Sequence, residues 1–134
     1  SGYVGPGGAL VIGILAGFVC YHATVFLKQR LKIDDSLDVF PVHGVGGALG
    51  TLLAAVFASA GLGVFSGQGL AEGMTIASQF QVQLIGVLAS GVYTAIVTFV
   101  LLKLIDRMLG LRVSQDEETE GLDLTQHNER GYDL

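Results

Sequence analysis

Three stretches of this chain carry no Asp, Glu, Lys or Arg: residues 1–27, 39–71 and 73–102. Each exceeds the roughly 20 apolar residues that a helix needs to cross a hydrocarbon layer about 30 Å thick. None shows the period-2 alternation of a barrel strand, and each is too long to be one. Inside lipid the backbone must satisfy its own polar groups, and a helix does so within one segment. The expected fold is an all-α membrane protein with three transmembrane helices. Charged residues make up 14% of the whole, against about a quarter in soluble domains, and the deficit lies in these runs.

The spans are expected at about 4–27, 39–57 and 78–108. Gly-Tyr-Val-Gly-Pro-Gly-Gly at 2–8 reads as a turn or a helix start. Lys28, Arg30 and Lys32 form a basic linker after the first span, and Asp34, Asp35, Ser36 and Asp38 offer N-caps for the second. The Gly- and Ser-rich segment 58–74 reads as a loop with at most one short turn. The third span exceeds what a bilayer requires, so tilt or protrusion is expected. Lys28, Arg30 and Lys32 lie between the first two spans, Lys103, Arg107 and Arg112 lie late in or after the third, and loop 58–74 has no basic residue. Positive-inside bias then puts the 28–38 linker and the C-terminal tail in the cytoplasm. The division is 1–109 for the membrane helices and 110–134 for the tail. The chain opens on Ser1 and meets an apolar run with no basic n-region, so a piece of a longer protein is expected.

Small residues recur at four-residue spacing: Gly13 and Gly17, Gly46 and Gly50, Gly86 and Ser90. Such pairs let helix backbones approach closely in lipid. Cys20, the single cysteine, reads as a small apolar filler.

His43 is the sharpest candidate. It lies within the second apolar run, followed by Gly46, Gly47 and Gly50 at helical spacing on one face. Ionisable groups in spans generally face the interior and mark ion or proton paths. The alternative is a neutral histidine hydrogen-bonded across two helices for packing alone. Asp38 stands at N-cap distance, about 7.5 Å below His43 along a helix axis. It is expected to cap the second span, and it also suits a cytoplasmic mouth. Pro41 is tolerable in a first helical turn. Val39, Phe40 and Val42 either constrict the same mouth or face lipid. His22 lacks a matching glycine stripe and reads as an interfacial side chain, and Glu72 reads as a solvated loop acid.

The tail is acidic, with Asp116, Glu117, Glu118, Glu120, Asp123, Glu129 and Asp133 against Arg112 and Arg130. That composition reads as a disordered solvated tail; Leu111, Val113, Leu122, Leu124 and Tyr132 argue instead for one that docks. No CxxC, HExxH, phosphate loop or nucleophile elbow occurs in the chain. An enzyme reading has no support, no cofactor or metal site is indicated, and the acidic tail speaks against nucleic acid.

Four strings carry a family resemblance: Gly-Tyr-Val-Gly-Pro at 2–6, Asp-Asp-Ser-Leu-Asp-Val-Phe-Pro-Val-His-Gly-Val-Gly-Gly at 34–47, Gly-Leu-Arg-Val at 110–113, and Glu-Gly-Leu-Asp-Leu-Thr-Gln-His at 120–127. With these the chain resembles the Amt branch of the ammonium transporter (Amt/Rh) family over essentially its whole length. The resemblance implies the last three helices of an eleven-helix bundle, assembled as a homotrimer in the plasma membrane. It implies ammonium or ammonia as substrate, with His43 as one of two pore histidines and its partner upstream of Ser1. Asp38 and Val39 match positions near the cytoplasmic exit. Gly110, Asp123, Thr125 and His127 fall in a regulatory tail that touches the neighbouring subunit, with Thr125 where plant relatives carry a phosphorylation site. PII signal proteins bind that cytoplasmic face in many prokaryotic relatives. An ammonium sensor on the same scaffold is the alternative, although no signalling domain follows in this sequence. Two positions depart from the family pattern. Pro41 stands where glycine is usual, which is expected to stiffen the mouth. Asn128 stands where the tail has glycine, and Asn tolerates positive φ.

Overall fold

The computed structural model describes residues 2–62 and 67–132. These are mainly helical, with no strand among them. Helix α1 (Pro6–Val25) opens on a proline in its first turn, where a missing N–H costs little. It runs directly into a π-helical turn, Phe26–Leu31. The first apolar helix is therefore Pro6–Leu31, longer than expected, and Lys28 and Arg30 sit on its last turn rather than in a linker. Nothing in 26–31 breaks a helix. Termination waits for Lys32, whose backbone is left-handed (φ 52°) and whose N–H reaches back to the Leu27 carbonyl.

The second apolar helix begins with another π-helical turn, Phe40–Val45, and continues as α2 (Gly46–Phe57). Together they span 18 residues, which at about 1.5 Å each give about 27 Å, close to the hydrocarbon thickness. Helix α3 (Ile76–Leu109) has 34 residues, or about 51 Å, far more than the bilayer requires. It starts ahead of Ser78 because Thr75 and Ser78 cap each other. The Ser78 N–H donates to Thr75 Oγ1 at 3.1 Å, and the Thr75 N–H donates to Ser78 Oγ at 2.8 Å. It stops at Gly110, left-handed at φ 79°, whose N–H donates to the Asp106 carbonyl at 3.1 Å.

Two units make up the chain, Ser1–Gly91 and Val92–Leu134. In the first, α1 and α2 form an antiparallel hairpin, with Gly8 against Phe57 at one end and Gly46 against Cys20 towards the other. A methyl on Gly46 would lie 2.9 Å from Cys20 Sγ, and one on Gly8 would lie 2.8 Å from Phe57 Cβ. The loop after α2 is tied to the segment ahead of α1 and to the C-cap of α2. Gln68 N–H donates to the Tyr3 carbonyl at 3.1 Å, and Gly69 N–H donates to the Ala58 carbonyl at 2.7 Å. Between them Gly67 is pressed so close that a Cβ would meet both carbonyl oxygens at 2.5 Å, so only glycine fits. Of the expected loop 58–74, positions 63–66 lie outside the described residues; the rest holds a short 3-10 turn, Ala60–Leu62. The second unit contains the later part of α3 and two short tail helices, α4 (Gln115–Glu120) and α5 (Leu122–His127).

Very little apolar surface is covered within the chain. Leu27 and Ala55 are the buried hydrophobic residues among those described, joined by Pro41. Phe18, Ile85 and Phe99 are each about two-thirds exposed. Such surface is stable only against lipid or further apolar helices. The helix contact at Gly46 yields a direct test. Gly46→Leu should lower the thermal midpoint of the detergent-solubilised protein by a shift equivalent to about 1–3 kcal/mol, the usual range for overpacking. Cys20→Ala should recover part of that loss, measured as non-additivity in a double-mutant cycle.

Candidate functional site

His43 stands in the π-helical turn Phe40–Val45. A π turn inserts one residue into an α-helical register, a device common at functional sites. The imidazole is exposed in this chain. The glycines that follow do not act as one stripe. Gly46 faces α1 at Cys20, whereas Gly47 and Gly50 have nothing within 4 Å of where a Cβ would be. Gly44 is covered by the ring of Phe40, 3.1 Å from its virtual Cβ. His43 is thus an open imidazole on the first turn of a helix whose next turns offer bare backbone. Val39, Phe40 and Val42 are all exposed, and the described residues do not gather them into a constriction.

His22 has a different setting. Its ring meets Phe18 edge-on at 4.4 Å and Tyr21 at 5.4 Å between centroids. This aromatic cluster near the end of α1 suits an interfacial packing role.

Below His43 the structure corrects one expectation. Asp38 does not cap the second span; Asp35 does. Its Oδ2 accepts the Phe40 N–H at 2.8 Å, and its Oδ1 accepts the Val39 N–H at 2.9 Å. These bonds, that to Phe40 first, hold the Asp35 carboxyl below its ordinary value. Asp38 is left-handed (φ 55°), a conformation that costs a non-glycine residue of order 1 kcal/mol or more. Its N–H donates to the Asp35 carbonyl at 3.2 Å, and its own carbonyl accepts the Val42 N–H at 3.0 Å. With the backbone turned this way, the side chain points to the π-helical turn that ends the first span, where Lys28 Nζ lies 2.8 Å from Oδ1. That oxygen is buried and has no aligned hydrogen bond, so the contact is ionic. Lys28 entered the sequence reading only as a marker of orientation.

Among its described residues the tail folds into two short helices, against the solvated reading of its composition. Ser114 caps α4 through a full capping box. Its Oγ accepts the Glu117 N–H at 3.3 Å, and Glu117 Oε2 accepts the Ser114 N–H at 2.9 Å and hydroxyl at 2.8 Å. Arg112 grips Glu118 with two bonds, at 2.6 and 2.9 Å. Gln126 Nε2 donates to Glu117 Oε1 at 3.1 Å and so joins α5 to α4. The spacing Ser114-x-x-Glu117 was the signal available for this. Gly121 makes the turn at φ 107°, and Asn128 closes α5 at φ 52°, the positive φ that asparagine tolerates. Thr125 donates its hydroxyl to the Gly121 carbonyl at 3.0 Å and is partly buried. Asp123 accepts the Glu129 N–H at 2.9 Å through its carbonyl, and His127 sits in the last turn of α5. Gly110, at the end of α3, stands apart from these residues in sequence.

Comparison with known proteins comes to one family. The model of the Ammonium Transporter Family matches residues 1–132. An ammonium transporter of Bacillus subtilis is 38% identical over 98% of this chain, ammonium transporter Amt1 of Archaeoglobus fulgidus 40% over 98%, and an ammonium transporter of Aquifex aeolicus 39% over the full chain. The match takes up 32%, 32% and 30% of those proteins, so the chain spans about a third of the length of these curated relatives.

The carboxyls outside the spans set a pH expectation. Glu117, through the Ser114 hydroxyl first, and Glu118, through Arg112, are held below their ordinary values, as is Asp35. A depressed carboxyl contributes stability above its unfolded pKa and loses it as pH falls through the folded one. Amide protection at Val39, Phe40 and residues 114–118, corrected for intrinsic exchange, should therefore hold from neutrality to about pH 5. It should decline below about pH 4. Exchange measured across that range checks it.

Proposed function

Because the chain belongs to the ammonium transporter family, we propose that its helices form part of an eleven-helix bundle that carries ammonium nitrogen across the plasma membrane, with His43 on the route. The observation that carries the proposal is an ionisable, open imidazole within an apolar span, beside the unoccupied face of Gly47 and Gly50. A side chain of this kind, with room for another helix or a narrow path against it, is suited to a pore rather than to lipid.

The chemistry favours neutral ammonia as the species that passes. Stripping water from a full ammonium charge in apolar surroundings is far costlier than desolvating ammonia. An imidazole titrates near neutrality and both accepts and donates hydrogen bonds, so it can hold ammonia and relay its proton. His43 acts as one of a histidine pair whose other member lies on another helix of the bundle. Asp38 and Val39 then lie on the cytoplasmic side of His43, at the exit. That assignment agrees with the basic residues Lys28, Arg30 and Lys32 at the end of the first span, which favour the cytoplasmic face.

Three copies of the bundle form a trimer, and the tail from Gly110 onward docks on the cytoplasmic face of a neighbour, where PII signal proteins also bind. Asp123, Thr125 and His127 belong to the docking element. A phosphate on Thr125 would displace the hydroxyl bond to Gly121 and add charge beside Asp123, opening the tail hairpin.

In the intact transporter, His43→Ala should cut methylammonium uptake by about tenfold or more, a loss of ~1.4 kcal/mol per decade of rate. Wild-type uptake and selectivity in that variant would remove His43 from the route. Deleting residues 110–134 should lower flux or abolish its control while the membrane helices keep their thermal midpoint. Unaltered flux and control would exclude the docked tail. Thr125→Glu should act in the same direction as the deletion, read in the same uptake assay.

A further inference from the structure

We infer that Lys28 is a positioning residue: its ion pair with Asp38 clamps the start of the His43 segment to the end of the first span. The consequence for flux rests on the transport reading above, whereas the clamp itself does not. A lysine that only marks the cytoplasmic side needs no partner. Lys28 has one, 2.8 Å away, with its own side chain 41% exposed and that of Asp38 33% exposed.

The partner is a strained residue. Asp38 holds φ 55°, a region that Asp enters more readily than most L residues but still at a cost, and its surroundings hold it there. Asp35 fixes the backbone before and after it, accepting the Asp38 N–H on its carbonyl and the Val39 and Phe40 N–H groups on its carboxylate. Lys28 fixes the side chain from across the linker. Asp35 and Lys28 together thus hold Asp38 and the two residues after it at the start of the second span.

Both flanks of this linker are π-helical, Phe26–Leu31 with Lys28 and Phe40–Val45 with His43. A π turn carries one residue more than the α-helical register, so relaxing it to α shifts the register by one residue. In the second span that would swing His43 by about 100° around the helix axis, one residue's rotation, relative to Gly47 and Gly50. Pro41, fully buried in this turn, has no N–H and adds no hydrogen bond to resist the change. The ion pair opposes it by anchoring the turn's lower end to the π-helical turn that ends the first span. The direction in which His43 points thus depends on a lysine fifteen positions earlier in the chain, ~15 by residue number.

The test uses the intact purified protein with Lys28→Met, Asp38→Asn and Lys28→Arg. Amide hydrogen exchange over residues 39–45 should quicken by about tenfold or more in the first two and stay near wild type in the third, since arginine also reaches the carboxylate. Methylammonium-to-ammonium discrimination should change in Lys28→Met and Asp38→Asn, and be kept by Lys28→Arg. Unchanged exchange in Lys28→Met would overturn the clamp. Faster exchange with unchanged discrimination would overturn its role in aiming His43. If the wild-type protein carried no ammonium while exchange followed the pattern above, the transport reading would fail and the clamp would stand.

Discussion

In a hydrocarbon layer no water is present to take a backbone hydrogen bond, and that constraint governs every irregularity in this chain. The described residues depart from α-helical geometry only near the ends of the spans. Two π-helical turns flank the linker at 32–39, left-handed residues stand at Lys32, Asp38 and Gly110, and a glycine is wedged between two carbonyl oxygens at Gly67. At each of these places the displaced polar groups find partners. The Lys32 N–H returns to Leu27, and the Val39 and Phe40 N–H groups go to Asp35. The middles of the spans stay regular because nothing there could compensate a break.

The same constraint explains why the charged chemistry is concentrated where it is. Asp35 and Asp38 divide two tasks between them. One satisfies the open amides of a helix start, and the other holds a charge against α1. His43, five residues above Asp38, is reached from the linker through a single helical turn, so the geometry of the imidazole is tied to polar residues that lie outside the apolar run. Gly46 adds a contact from the other direction by letting Cys20 approach the same helix.

Much of this was legible in the sequence. The charge-free runs announced three helices and Asn128 in a glycine position announced a left-handed turn, whereas of the glycine pair Gly46 and Gly50 only Gly46 meets another helix in this chain. Other features were not legible for definite reasons. Four polar residues precede the second span, all capable of capping, and only the backbone conformation of Asp38 excludes it in favour of Asp35. A π turn has no side-chain signature, because the same apolar residues suit either register. The ion pair joins a residue of the first span to one in the linker ahead of the second, and no spacing rule connects them. For the tail, bulk composition pointed to disorder while the local Ser114-x-x-Glu117 pattern pointed to a helix start; the local chemistry prevailed, helped by Arg112 on Glu118. Only one of the two histidines implied for the pore is in this chain, so the partner is legible only through the family.

The hairpin of α4 and α5 also bears on what any surface that met this tail would encounter. Its capping box, its arginine grip and the Gln126 bridge are all internal, so the loss of chain entropy on ordering it belongs to folding rather than to any later encounter. A surface that meets the tail meets a rigid body and forgoes the ordering penalty of a disordered segment. A contact made on α4 is therefore also felt in α5, because the Glu117 carboxylate holds the Ser114 cap with one oxygen and the Gln126 bridge with the other.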